Sequence, residues 1–181
     1  LSVSALMPSA YSFLVHPLIE KIVDILPADQ TIYLVGGAVR DMFINRLSPD
    51  LDFALPSNGI ATARKVANAL NADFLALDEE RDTGRVVVTE ENGNRIFLDF
   101  ATYRGPDLEA DLRARDFTIN ALAYDLHAQS IIDPLDGAKD LRAKAIRACS
   151  PTSMSDDPVR ILRAIRQAAG FEFRIEKETR E

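Results

Sequence analysis

Tyr33-Leu-Val-Gly-Gly-Ala-Val-Arg-Asp41 and, nine residues on, Asp50-Leu-Asp52 are the stretches on which the reading of this 181-residue chain turns. An apolar run stops at two glycines and leads into a short helical segment. A second apolar stretch then opens with two carboxylates one residue apart. Thr31–Val35 reads as a buried strand, Ala38–Asn45 as a helix, and Leu51–Leu55 as a strand stopped by Pro56. Residues i and i+2 of a strand share a face, roughly 7 Å apart, so Asp50 and Asp52 can reach one hard cation together. Magnesium takes such oxygen ligands, one or two carboxylates at a time, alongside substrate phosphates. Gly36 and Gly37, lacking Cβ atoms, let backbone N–H groups approach a phosphate chain at a helix start, and Arg40 lies one turn on. The pattern is neither a dinucleotide-binding glycine motif nor a P-loop, because no Lys-Ser/Thr follows the glycines.

Outward from this centre, the spacing of Leu18, Ile19, Ile22, Val23 and Leu26 predicts a first helix closed by Pro27. Ile60, Ala63, Val66, Ala67 and Leu70 predict another. Phe74–Leu77 reads as a strand. Arg85–Thr89 and Arg95–Ala101 flank Asn92-Gly93, a strong hairpin signal. Asp116–Asn120 reads as a short helix, Ile131–Asp133 as a brief strand and Pro134–Gly137 as a turn. Asp156-Asp157-Pro158 opens a last helix, with Val159, Leu162, Ile165 and Ala169 as its apolar stripe and Gly170 as its stop. The charged segment Arg174–Glu181 adds no core element. The fold class is α/β (α+β): a small, mostly antiparallel mixed sheet flanked by helices, followed by a helical extension.

Two further features carry chemistry. Asp99 lies inside the apolar run Ile96–Ala101, where a carboxylate is costly unless paired or ligated. If its strand lies beside Asp50–Asp52, three carboxylates converge; otherwise Asp99 simply points outward. Asp157, Arg160, Arg163 and Arg166 recur every third residue and share about half of a helix circumference. They form either a solvated basic face or a base reader. In the second case an Asp accepts from the exocyclic amine of cytosine or adenine, and an Arg donates to a ring acceptor.

Composition bounds these readings. Hydrophobic residues make up 47% and charged residues 27%, ordinary values for a globular protein. No apolar run approaches the roughly 20 residues needed to span a bilayer. The opening Leu1–Met7 lacks the basic flank of a signal peptide. The single cysteine, Cys149, permits no intrachain disulfide and is expected to be inert, which fits a reducing cytoplasm. The net charge of -7 argues against this stretch gripping nucleic acid alone. The cations are uneven, however: residues 104–181 hold 13 Lys+Arg against 8 in residues 1–103. Polyanion contact is expected in the later part. Oligomeric state is not legible.

Gly-Gly-Ala-Val-Arg-Asp (36–41), Asp-Leu-Asp (50–52), Arg-Asp-Phe-Thr-Ile-Asn-Ala (115–121) and Asp-Asp-Pro-Val-Arg-Ile-Leu-Arg (156–163) stand in one order. In that order the chain resembles the class II nucleotidyltransferases, which comprise the bacterial tRNA CCA-adding enzymes and the poly(A) polymerases. The resemblance spans about residues 31–171. It implies a polymerase-beta-like head over residues 1–150 and the start of a helical neck over 151–181, with body and tail absent. Asp50 and Asp52 would hold Mg2+, with two ions during catalysis, and Asp99 would be the third catalytic carboxylate. Gly36, Gly37, Arg40 and Arg115 would hold the triphosphate of CTP or ATP, and Asp116 and Asn120 would shape the sugar and phosphate pocket. Asp157 and Arg160 would read the base, with Arg163 and Arg166 supporting them or touching phosphate. The implied reaction adds C, A or both to tRNA 3′ ends without a template. Poly(A) addition from ATP on varied RNAs and non-catalytic nucleotide binding are the alternatives.

The chain departs from the family pattern in three places. Asp156 replaces a usual Glu, and Ala114 replaces the first of a usual Arg pair. The connection from Thr102 to Arg115 is short, which raises a CC-adding specificity or an unusual relative.

Overall fold

The computed structural model describes residues 16–180, so Leu1–Met7 lies outside the described residues. The elements run α1 (Leu18–Ile25), β1 (Tyr33–Val35), α2 (Gly37–Phe43), β2 (Asp50–Leu55), α3 (Gly59–Leu70), β3 (Asp73–Asp78), β4 (Thr83–Thr89) and β5 (Arg95–Thr102). They continue through α4 (Leu108–Arg113), a 3₁₀ turn (Thr118–Asn120), β6 (Ala123–Asp125), β7 (Ser130–Ile132), α5 (Gly137–Arg142) and β8 (Ala145–Ile146). The last elements are α6 (Ser153–Asp156), α7 (Val159–Phe171), β9 (Arg174–Ile175) and α8 (Lys177–Arg180). Seven strands form one sheet in the order β3-β4-β5-β2-β1-β6-β7. Only β2 and β5 run parallel in it; the other neighbours are antiparallel. A mixed α/β fold with a mostly antiparallel sheet is what the periodicities predicted. None of the described helices is long and apolar enough to cross a membrane.

The period-2 rule divides the two central strands cleanly. Leu51, Phe53 and Leu55 of β2, with Ile96, Leu98 and Phe100 of β5, are buried on one face. There Phe53 and Phe100 stack with ring centroids 4.7 Å apart, worth about 0.5–1.5 kcal/mol beyond the area they bury. The alternate residues Asp50, Asp52 and Asp99 fall on the opposite face. Helix α3 packs close to β4 because Gly84 has no side chain: a Cβ there would sit 2.7 Å from that of Ala63. The Asn92-Gly93 hairpin is present, with Gly93 at φ +84° and its N–H donating to Glu90 O.

Four local expectations change. The helix expected at Asp116–Asn120 shortens to a 3₁₀ turn, because Phe117 is extended and bridges Ala148. Gly170 lies inside α7; the helix instead stops at Glu172, which takes the left-handed conformation at φ +57°. The tail at Arg174–Ile175 is a strand paired parallel with β8, and Ile175 packs against the main core. The apolar stripe of α7 points away from the sheet, with Val159, Leu162 and Ile165 exposed by 59%, 68% and 56%. Ala164 and Gln167 are buried in its place, for reasons that lie in the cleft.

Asp82 is a junction that sequence periodicity did not suggest. Its carboxylate accepts the N–H groups of Gly59 and Ile60, at 2.8 and 3.0 Å, and the Thr102 hydroxyl at 2.7 Å. It thereby caps α3 from the β3–β4 turn and ties both to the end of β5. Burial raises its carboxyl, but these donors outweigh burial and leave it below the ordinary range. A depressed folded-state value stabilises the fold above the unfolded-state value and is lost as pH falls. Asp82→Ala is expected to cost about 1–2 kcal/mol, as loss of a helix cap does. In urea melts the deficit should shrink toward acid pH.

Candidate active site

On the face of the sheet away from the main core, β1, β2 and β5 form the floor of an open cleft of about 980 Å³. Helices α2 and α7 and the segment from Asp111 to Asn120 contribute its walls. Every sequence-predicted site residue lines it: Gly36, Gly37, Arg40, Asp50, Asp52, Asp99, Arg115, Asp116, Asn120, Asp157, Arg160, Arg163 and Arg166.

The acidic floor follows from strand register. Asp52 pairs with Asp99 across the parallel β2–β5 ladder, so the two carboxylates share a face. Solvent reaches Asp52 through the cleft mouth, but protein crowds it on the other sides. This enclosure pushes its carboxyl up; Arg115 opposes, while Asp99 and Asp50 add to the rise. Asp50 and Asp52 offer only oxygen donors, and neither forms an ion pair among the described residues. That donor set fits a hard divalent cation. Asp99 differs, because its two oxygens accept from Arg85 Nε and Nη2, at 2.7 and 2.6 Å. The strands lie side by side as expected, yet no group of three or more His, Cys, Asp or Glu closes into a metal-holding cluster among the described residues.

Gly36 is the hinge between strand and cleft. It sits at φ +72°, ψ -135°, which L side chains avoid. A Cβ there would stand 2.8 Å from Arg115 Nη1 and 3.6 Å from Asp52 Oδ2. The missing side chain therefore makes room for the Arg115–Asp52 approach. The Gly36 N–H itself donates to Leu122 O, so it is spent within the fold. Arg115 is aimed by Asp111, a buried residue that sequence reasoning missed. Asp111 Oδ2 accepts Arg115 Nη2 at 2.9 Å, and its Oδ1 accepts the Arg104 N–H. The i, i+4 spacing of Asp111 on α4 and Arg115 just past its end was the available signal.

The cations from α2 and α7 meet in one network. Arg40 donates to Asp41 and, through Nη1, to Asn120 Oδ1 at 2.8 Å, and its guanidinium lies 4.4 Å from the Phe171 ring centroid. Asn120 Nδ2 donates to Asp116 Oδ1 and Gln167 Oε1. Asp116 Oδ2 accepts Arg163 Nε at 2.7 Å. Arg160 donates to Ser153 Oγ at 2.7 Å and to the carbonyls of Ala114 and Arg115. These bonds draw the polar face of α7 onto the cleft, which explains its outward apolar stripe. Asp157 caps α7 by accepting the Val159 N–H, and its side chain stays half exposed. Arg163 keeps its Nη groups free of protein partners among the described residues, and Arg166 forms no ion pair there. Burial pushes the Cys149 thiol up to about 12, Asp116 adds to this, and Arg160 and Arg115 oppose, so it stays protonated at neutral pH.

The chain is similar to known proteins over most of its length. Residues 32–147 match the family described as Poly A polymerase head domain. The chain is 42% identical over 149 residues to a CC-adding tRNA nucleotidyltransferase of Synechocystis sp., covering 81% of this chain and 35% of that protein. A CC-adding tRNA nucleotidyltransferase of Geobacter sulfurreducens is 44% identical over 147 residues, with 81% and 34% covered. An A-adding tRNA nucleotidyltransferase of Deinococcus radiodurans is 38% identical over 146 residues, with 81% and 32% covered. The chain thus spans about a third of the length of these relatives. Among solved structures, a CCA-adding enzyme with CTP superposes with a TM-score of 0.78 at 33% identity, covering 91% of this chain and 42% of that one. The Thermotoga maritima CCA-adding enzyme complexed with tRNA gives 0.77 at 33% identity, covering 92% and 41%.

The raised Asp52 carboxyl has a consequence for stability. With the folded-state value above the unfolded-state one, stability is greatest at low pH and falls as pH rises through that window. Asp52→Asn mimics the neutral form. Thermal melts with chelator are expected to show a higher midpoint than wild type at pH 7, converging in acid. A lower midpoint at pH 7 would mean that attraction to Arg115 outweighs the strain.

Proposed function

The chain belongs to the poly(A) polymerase head-domain family, and on that premise we propose that it is the catalytic part of a template-independent RNA nucleotidyltransferase adding C, A or both to tRNA 3′ ends. The observation that carries this reading is the single cleft in which an acidic strand pair faces Arg115, just past α4, and the arginines of α7. We assign residues 1–150 to the catalytic head and 151–181 to the start of a helical neck.

In this reading an RNA 3′-hydroxyl attacks the α-phosphorus of CTP or ATP, the P–O bond to the β-phosphate breaks, and pyrophosphate leaves. Asp50 and Asp52 would hold magnesium, with Asp99 behind them. When bound, the metal would neutralise charge developing on the transferred phosphoryl group. Arg115, aimed by Asp111, and Arg40, held by Asn120, present fixed positive charge along the triphosphate path beside Gly36 and Gly37. Fixed charges need no reorganisation as the reaction proceeds. Asp116 and Asn120 shape the sugar and phosphate side of the pocket. Asp157 offers acceptor oxygens to a base amine. Arg160 must exchange its contacts with Ala114 and Ser153 to meet a base edge, whereas Arg163 and Arg166 have donors ready.

CTP is the favoured first substrate. Two similar relatives are named as CC-adding, and α4 follows Thr102 after only five residues, its cap Asp107 included.

The test uses the complete protein containing this chain, with magnesium, labelled CTP or ATP, and tRNA lacking its 3′ end. Wild type is expected to extend the tRNA with C in preference to A. Asp50→Ala should slow extension by roughly a hundredfold to a thousandfold, as loss of a transition-state charge clamp does, without unfolding. A folded Asp50→Ala that extends equally well would remove Asp50 from the chemistry. Exclusive use of ATP on unrelated RNAs would instead mark a poly(A) polymerase.

A further inference from the structure

Of the three carboxylates on the cleft floor, Asp99 is the one with an arginine on both of its oxygens among the described residues. The register of β4 against β5 pairs Arg85 with Asp99, while that of β5 against β2 pairs Asp99 with Asp52. Arg85, Asp99 and Asp52 therefore stand in a row across three strands, on one face of the sheet. The Arg85–Asp99 contact is a fork, with Nε on one oxygen and Nη2 on the other, at 2.7 and 2.6 Å. Both side chains are largely enclosed, at 33% and 22% exposure. The guanidinium also lies 5.1 Å from the Phe97 ring centroid, which holds its plane in place. A carboxylate gripped in this way presents its best lone pairs to the guanidinium and not to a cation on its far side. Among the described residues, Asp50 and Asp52 have no such partner.

We propose that Arg85 is a built-in counter-cation that occupies Asp99, leaves metal binding to Asp50 and Asp52, and so holds the site's affinity for divalent cations down. Arg85 is a positioning residue here, acting through Asp99. The proposal rests on the metal role given to Asp50 and Asp52 above. An ordinary strand staple would change stability and leave metal affinity alone, so affinity is the discriminating readout.

Calorimetric titration with Mn2+ and Mg2+, without nucleotide, separates the possibilities. Wild type should bind and Asp52→Asn should not; equal binding by Asp52→Asn would sink the metal reading itself. Arg85→Gln should bind about tenfold more tightly, because it removes a nearby positive charge and frees a third carboxylate. Unchanged or weaker binding by folded Arg85→Gln, with the Asp52 result as expected, would overturn the proposal alone. The double variant Arg85→Gln/Asp99→Asn removes both charges and should bind within about twofold of wild type. A tenfold loss there would show that Asp99 ligates metal despite Arg85, and would also overturn it. If Arg85→Gln does not fold, Arg85→Lys keeps the charge but cannot grip both oxygens. Tighter binding by Arg85→Lys supports the proposal, and unchanged binding refutes it.

Discussion

The parallel register of β2 against β5 is the constraint on which the rest of this molecule depends. It places Asp52 directly opposite Asp99 and sends the intervening apolar side chains to the other face. One side of the central sheet thereby becomes core, anchored by the stacked Phe53 and Phe100. The other side becomes a floor carrying three carboxylates. Like charges on one face repel and oppose folding; burial, with Asp99 and Asp50 adding to it, pushes the Asp52 carboxyl up. The surrounding structure is arranged as a response to that concentration of charge.

The response comes from three directions. Arg85 reaches Asp99 from β4, Arg115 reaches toward Asp52 from beyond α4, and α7 lays its arginines over the remaining opening. Each cation is itself positioned. Asp111 aims Arg115, Asn120 and Phe171 fix Arg40, and Asp116 holds Arg163. Asp116 and Asn120 thus link α2 to α7 through side chains alone. This linkage turns α7 so that polar residues face inward, against the usual rule for a surface helix. With its apolar stripe exposed and its polar face lining the cleft, α7 is placed mainly by hydrogen bonds and ion pairs, with Ala164 as its buried apolar contact.

Much of the fold was legible in sequence because local periodicity reports local structure. The alternation in β2 and β5, the Asn92-Gly93 turn and the spacing of α1 and α3 each carry their own signal. The candidate site was legible as a set of residue types: all thirteen predicted positions line one cleft. Asp111 and Arg85 were missed because their weight comes from partners. No element was read around Asp111, and Arg85 looked like a strand-end cation. The orientation of α7 was missed because periodicity shows that a helix has two faces without showing which face finds a partner.

The sequence by itself determined that Asp50 and Asp52 share a face, that a glycine turn stands beside them, and that acids and arginines of the right types follow in order. Strand and helix periods make these properties of short segments. Only the tertiary structure decided that Asp99 is held by Arg85, that Gly36 opens space for Arg115 near Asp52, and that α7 is polar-side-in. Those outcomes depend on register and packing between segments distant in sequence, such as Asp116 and Arg163, 47 residues apart. A charged side chain's fate is set by which opposite charge the fold brings within about 3 Å, and no local pattern contains that distance.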